Sequence, residues 1–129
     1  MFYKKRKSPA TGNKYPKRND LVPVRIKKHG DKNGGHHHVI LEDFEDKHVS
    51  VGLTTRKTKG KNSTHTNYEC EFDPLGKGNR SYMRRQGMVA PIKEYDKQEH
   101  KGKMSPKDYA KAKEYGNKAK QKYLRGCKK

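Results

Sequence analysis

The strongest constraint on this chain is that its apolar residues gather in one place. Hydrophobic side chains make up only 28% of 129 residues, so a core can form only where they cluster. Between Gly34 and Thr55 two strand-like runs, Val39-Ile40-Leu41 and Val49-Ser50-Val51-Gly52-Leu53, follow a glycine pair and three histidines and stop at Thr54-Thr55. Short apolar runs bounded by turn residues predict a hairpin, here with polar groups at both mouths.

Other segments repeat the period of two. Val22, Val24 and Ile26 alternate with Pro23, Arg25 and Lys27, and Pro23 places that strand at an edge or a strand start. His29 to Gly35 is a glycine-rich loop, Glu42 to Asp46 an acidic turn, and Arg56 to Thr66 a long basic loop. Tyr68, Cys70 and Phe72 alternate with acids, and Asp73 to Gly78 turns the chain again. Ser81–Met83 and Met88–Ile92 are weaker strand candidates, separated by Arg84-Arg85-Gln86-Gly87. Five or six short strands at this spacing predict a small barrel or sandwich.

The C-terminus switches period. Ser105-Pro106-Lys107-Asp108 offers an N-cap serine, a proline at the first helical position and an acid at the third. Met104 and Tyr109 are spaced for a hydrophobic staple. Tyr109, Ala112, Tyr115 or Gly116, Ala119 and Tyr123 then line one face of a helix to about Leu124, while Lys107, Lys111, Lys118 and Lys122 line the other. The central region alone is small for one core, so the tyrosine face is expected to dock on it. The fold class read from the sequence is mainly β with α. Residues 1–20 form a disordered basic arm, 21–95 a β-barrel, 96–104 a linker, 105–124 the helix and 125–129 a basic tail.

Charge points to the partner. Residues 1–33 carry eleven Lys/Arg against two acids, 97–129 twelve against three, and 34–96 ten against nine. A net charge of +19 held in two flanks gains free energy by releasing counterions from a polyanion, which makes nucleic acid the leading partner class. The plainer alternative, tails that only confer solubility, leaves the self-repulsion of such a chain unanswered. No apolar run follows the first lysines, and no stretch approaches a membrane span, so neither secretion nor a membrane is expected. Cys70 and Cys127 lack zinc spacing and read as reduced thiols of a cytoplasmic protein. Walker, dinucleotide, zinc-finger and Ser-His-Asp patterns are missing, and no cofactor is expected.

The order Val22–Ile26, Asp31-Lys-Asn-Gly-Gly35, His36-His37-His38-Val39-Ile40-Leu41 and Val49-Ser-Val-Gly-Leu-Thr-Thr55 resembles the MazF/PemK toxin family of small SH3-like barrels. Members typically run from a strand through a glycine pair and an arginine-proline step to two further strands, the second ending in a threonine element. The resemblance covers about 35 residues. It implies an RNA-binding or metal-independent RNA-cleaving surface and is compatible with a homodimer. Thr54 falls at the family's threonine. His37 stands where the family has its arginine and His38 where it has proline, so either proton transfer by histidine replaces the arginine or cleavage is lost.

The candidate catalytic pair is therefore His37 and Thr54. Candidate nucleic-acid contacts are Lys27, Lys28, His36, Arg56, Lys57, Lys59, Lys61, Arg84, Arg85, Lys111 and Lys118. Each has a plainer reading: Thr54 ends a strand and satisfies backbone groups, the arginines form a solvated face, and the histidines a solvated cluster. His36 and His38 share one side of a strand, but no third ligand stands nearby and no metal is expected. Three functions compete: a MazF/PemK-like RNA-binding protein or endoribonuclease, a non-catalytic phage or mobile-element protein that binds nucleic acid or inhibits a host nucleoprotein complex, and a ribosome-associated protein.

Overall fold

A computed structural model describes residues 15, 17–30, 36–58 and 66–127. Six strands form one antiparallel sheet: β1 (Val22–His29), β2 (His36–Phe44), β3 (Lys47–Thr54), β4 (Tyr68–Glu69), β5 (Tyr82–Pro91) and β6 (Tyr95–Met104). A 3-10 turn, Ile92–Glu94, links β5 to β6, and the helix α1 spans Pro106–Cys127. The strand order is β4-β5-β3-β2-β1-β6. The expected mainly β chain with a C-terminal helix is what forms. The expected barrel closure is not: β4 and β6 are the two edges of an open sheet and do not pair. The gap between them is partly bridged by the turn after β4, where Lys103 N–H donates to Pro74 O at 3.0 Å.

The central hairpin forms as its two apolar runs predict. Val39 pairs with Val51 and Ile40 with Ser50, and a bulge between Ile40 and Glu42 shifts the register beyond them. β5 is one continuous strand through Arg84-Arg85-Gln86-Gly87, which the sequence reading took as an interruption. Residues 96–104 are a strand, not a linker: β6 zips onto β1 with Val22 opposite Met104 and Arg25 opposite Lys101. It escaped detection because an edge strand hides few side chains, and of its ten residues only Tyr95, Gly102 and Met104 are buried.

One face of the sheet carries the apolar core. Val24, Ile26, Val39, Val51, Leu53, Met83 and Met104 pack with Ala112 and Tyr115 of α1, so the tyrosine face of the helix docks as expected. The helix lies very close to β5. A Cβ added at Gly87 would stand 2.8 Å from Tyr115 O and 2.9 Å from Gly116 Cα, so strand and helix backbones meet where neither residue has a side chain. Ser105 caps α1, its Oγ accepting Asp108 N–H at 3.0 Å. Asp108 itself turns inward and is fully buried, accepting from Tyr68 OH at 3.0 Å and from Glu71 N–H at 2.8 Å. The helix start is thereby pinned to the chain around β4.

The opposite face is also buried, but largely by polar groups. Lys27 Nζ donates to His48 Nε2 (3.1 Å), and His48 Nδ1–H donates to Asp43 Oδ1 (2.8 Å). Ser50 Oγ bonds the Tyr95 hydroxyl at 2.7 Å and His38 Nδ1 at 3.1 Å. The Tyr95 ring lies 4.8 Å from both the His29 and His48 rings. The end of the basic arm expected to be disordered also packs on this body: Arg18 donates to Asp20 and Glu71. Residues 1–14 lie outside the described set. Cys70 is buried and free, while the side chain of Cys127 lies outside the described residues. Among the described residues no helix is long and apolar enough to cross a membrane.

Candidate nucleic-acid interface

β2 begins and β3 ends at the same end of the sheet, because the two are antiparallel neighbours. That places the histidine run beside Thr54-Thr55. The turn after β4 leans over the same end and completes a cleft of about 270 Å³, lined among others by His36, His37, Thr54, Arg56, Lys77 and Asn79. Leu53 and Leu75 supply its apolar patches, with Thr55, Asp73 and Ser81 completing the lining.

Local hydrogen bonds hold this cleft in shape. Asp73 is buried, and its carboxylate accepts the backbone N–H of Leu75 (3.1 Å), Lys77 (3.1 Å) and Asn79 (3.3 Å). One carboxylate thus organises the whole loop, as Asx turns do over shorter spans. On the other wall, Thr54 Oγ1 accepts Arg56 N–H at 3.1 Å and turns the chain out of β3. Asn67 then clamps that exit, its side chain donating to Arg56 O (2.9 Å) and its N–H to Lys57 O (2.8 Å). The result leaves the side chains of Arg56, which lines the cleft, and Lys57, which follows it, exposed to solvent.

The electrostatics favour an anion. Arg56, Lys77 and Lys28 have no carboxylate within ion-pair distance among the described residues; Asp73, the one acid in the lining, accepts from three amides and keeps its negative charge, which the cations around it outnumber. His37 sits opposite Lys28 in the sheet register and edge-on to His100, ring centres 5.5 Å apart. Burial pushes its pKa below the usual histidine value, the charges of His100, Lys28 and Lys77 push the same way, and Asp73 partly opposes them. A neutral imidazole there can accept a proton or a hydrogen bond.

Of the residues singled out in the sequence, His36, His37, Thr54 and Arg56 meet in this cleft, with Lys28 beside His37, while Lys57 is exposed but not part of the lining. Thr54 also shows its plainer role, ending a strand and satisfying a backbone amide. Lys27 is a correction: it is only 8% exposed and engaged by His48, so it offers nothing to a surface ligand. Arg85 is a strut, donating to Thr66 O at 2.8 Å and Tyr115 OH at 3.3 Å. Arg84 lies on the face away from the helix, over Gly52 near His38. Lys111 and Lys118 flank Glu114 on α1 at 3.4 and 3.5 Å, away from the cleft. Lys59 and Lys61 lie outside the described residues. His36 and His38 do face one side of β2, but no group of three metal-ligating side chains forms among the described residues.

Sequence reasoning missed Lys77, Asn79 and Asp73. The Asp-Pro-Leu-Gly-Lys-Gly string marked only a turn; an aspartate placed to accept several following amides was the available signal. It also missed the Lys27–His48–Asp43 chain, which runs from the interior to an exposed carboxylate, and the buried His38–Ser50–Tyr95 chain, although the polar alternation His48, Ser50, Gly52 was visible. Compared with family models, curated proteins and solved structures, the chain matches none, so its residues and their geometry are what a functional reading rests on.

Proposed function

We propose that this chain is a cytoplasmic nucleic-acid-binding protein that holds RNA in preference to DNA along the cleft at the open end of the hairpin. The observation that carries the reading is the cleft itself: Arg56, Lys77, His36 and His37 converge there with hydroxyl and amide donors, against a single lining acid. A phosphate entering it meets charge and directional donors together. The two cationic flanks extend the same attraction, and the preference for RNA follows from the MazF/PemK resemblance. The free, buried Cys70 accords with a reducing compartment.

Binding of a labelled RNA should weaken steeply between about 50 and 200 mM salt, as several phosphate contacts require. Arg56→Ala and Lys77→Ala should each lower the salt slope by about 1. A flat salt response, or unchanged slopes in both variants, would remove the cleft from the account.

A second reading adds cleavage, because His37 and Thr54 line the same cavity and His37 is held towards its neutral form. A neutral imidazole can take the 2′-hydroxyl proton as that oxygen attacks the adjacent phosphorus and the 5′-oxygen leaves. Incubation of the wild type with RNA should then yield fragments, and His37→Ala should abolish them while retaining binding. Intact RNA after prolonged incubation with the wild type would eliminate cleavage and leave binding standing.

A further inference from the structure

The cleft carries more positive charge than one backbone phosphate can answer. Arg56 and Lys77 line it, and Lys28 stands opposite His37 in the register of β1 and β2. None of these three cations has a carboxylate partner among the described residues, and Asp73 is the one acid in the lining. The fixed charges therefore leave a surplus of two. An internal phosphodiester of RNA brings a single negative charge. A terminal phosphomonoester brings about 1.5 to 2 near neutral pH, because its second pKa is about 6.

Two imidazoles add to this end of the cleft. His37 lines it from the start of β2, and the His100 ring of β6 stands edge-on to His37 with centres 5.5 Å apart. β1 brings them together, pairing Lys28 with His37 on one side and Ile26 with His100 on the other. Both rings are half-buried.

His37 is faced by Lys28 from β1, by His100 from β6, and by Lys77 and Asp73 from the turn after β4. Arg56 lines the same cleft, and His36 and His38 flank His37 on β2. Apart from Asp73, each of these groups is a cation or can become one, so an empty cleft keeps His37 neutral. Burial acts in the same direction. A bound dianion reverses the balance and draws a proton onto the imidazole, which then donates to a phosphate oxygen.

We propose that this end of the cleft seats a terminal phosphomonoester of RNA, held by His37 with His100 beside it and by Lys28, Arg56 and Lys77. The inference rests on the nucleic-acid reading given above. No covalent bond between heavy atoms changes; the only transfer is a proton, taken from solvent as the phosphate binds. The complex holds one proton that the free dianion and the neutral imidazole lack, so affinity rises as pH falls towards about 6. Below that, phosphate and imidazole both arrive protonated, one proton must be shed, and affinity drops again. Above the window His37 is neutral, the form that the cleavage reading uses.

The test uses the full chain at fixed salt and three oligouridylates of about 4 nucleotides, one with a 5′-phosphate, one with a 3′-phosphate and one with hydroxyls at both ends. At pH 6.5 a phosphorylated oligonucleotide should bind about tenfold tighter than the hydroxyl-ended one, and the advantage should fall to about threefold at pH 8. His37→Gln and His100→Gln should each cut the advantage at pH 6.5 to about threefold and remove its dependence on pH. Should either variant prove unstable, the pH dependence of the wild type still decides the matter. Equal affinity for all three oligonucleotides from pH 6 to 8, or a full advantage kept by both variants, overturns the seat. Inorganic phosphate should compete only in large excess; if it competes as well as the phosphorylated oligonucleotide, the seat belongs to free phosphate and the assignment to an RNA end is overturned. Failure of the wild type to bind any RNA, including a hydroxyl-ended one of about 16 nucleotides, overturns the nucleic-acid reading itself, a separate result.

Discussion

The two faces of the sheet are buried to similar depth by opposite chemistry. On the helix side Ile26, Val39, Val51 and Met83 are inaccessible and surrounded by apolar neighbours. On the other side His48 and Ser50 are just as inaccessible, yet they survive there only because each polar atom has a partner. Among the described residues no buried side-chain nitrogen or oxygen lacks a hydrogen bond. The first face gains stability from area removed from water. The second is held by hydrogen bonds whose net contribution is small but whose loss is expensive. One sheet therefore responds to shape on one side and to protonation on the other.

That contrast can be broken most sharply at the helix contact. Gly87→Val would push β5 away from the backbone of Tyr115 and Gly116 and should destabilise the fold by about 3 kcal/mol. The loss should appear in urea unfolding at every pH, because no titrating group is involved; a change under 1 kcal/mol would mean that α1 is not seated as described.

The polar face should instead make stability depend on pH. Burial, reinforced by His29, His36, Arg84 and His37, pushes the His38 pKa down from 6.5 to about 4. Burial lowers His48 as well, against the pull of Asp43. The unfolded chain takes up these protons first as pH falls below 6.5, so stability is complete above that value and declines towards pH 4. For His38 alone the decline is about 3 kcal/mol across the window. Urea midpoints measured from pH 7.5 to 4 check it, and His38→Gln should flatten the profile; an unchanged slope in that variant would sink the assignment.

A smaller effect separates the two kinds of burial. Ser50→Ala leaves the Tyr95 hydroxyl and His38 Nδ1 short of a partner and should destabilise by about 2 kcal/mol. Val51→Thr, one residue along on the apolar face, inserts a hydroxyl with no partner and should cost a similar amount. If Ser50→Ala were instead neutral at pH 7.5, the chain of hydrogen bonds through Ser50 would contribute nothing to holding that face together.

What the sequence revealed follows from the range of the forces involved. The helix was legible because Ser105, Pro106 and Asp108 act within one turn, although the inward role of Asp108 was not, since Tyr68 and the Glu71 amide lie far away in the chain. The hairpin was legible from alternation, which is a local property of a sheet with a buried face. β6 was not, because edge pairing with β1 needs backbone groups rather than apolar side chains. Lys27 looked like a surface cation since lysine usually is one; its burial depends on His48, which only the strand register brings near. For the cleft, strand order alone put the histidines beside Thr54, whereas its far wall came from a turn folded over by tertiary contacts.

The placement of β6 also sets an order of events during synthesis. β1 has one neighbour, β2, available within a few residues, but its other neighbour is made some seventy residues later. Pairings of such long sequence separation form late. A ribosome that has just released Pro91 would display the hairpin and both its mouths, but with β1 still a naked edge and the Pro74 carbonyl without its amide from Lys103. The walled cleft would thus come into being near the end of synthesis, only as β6 pairs with β1.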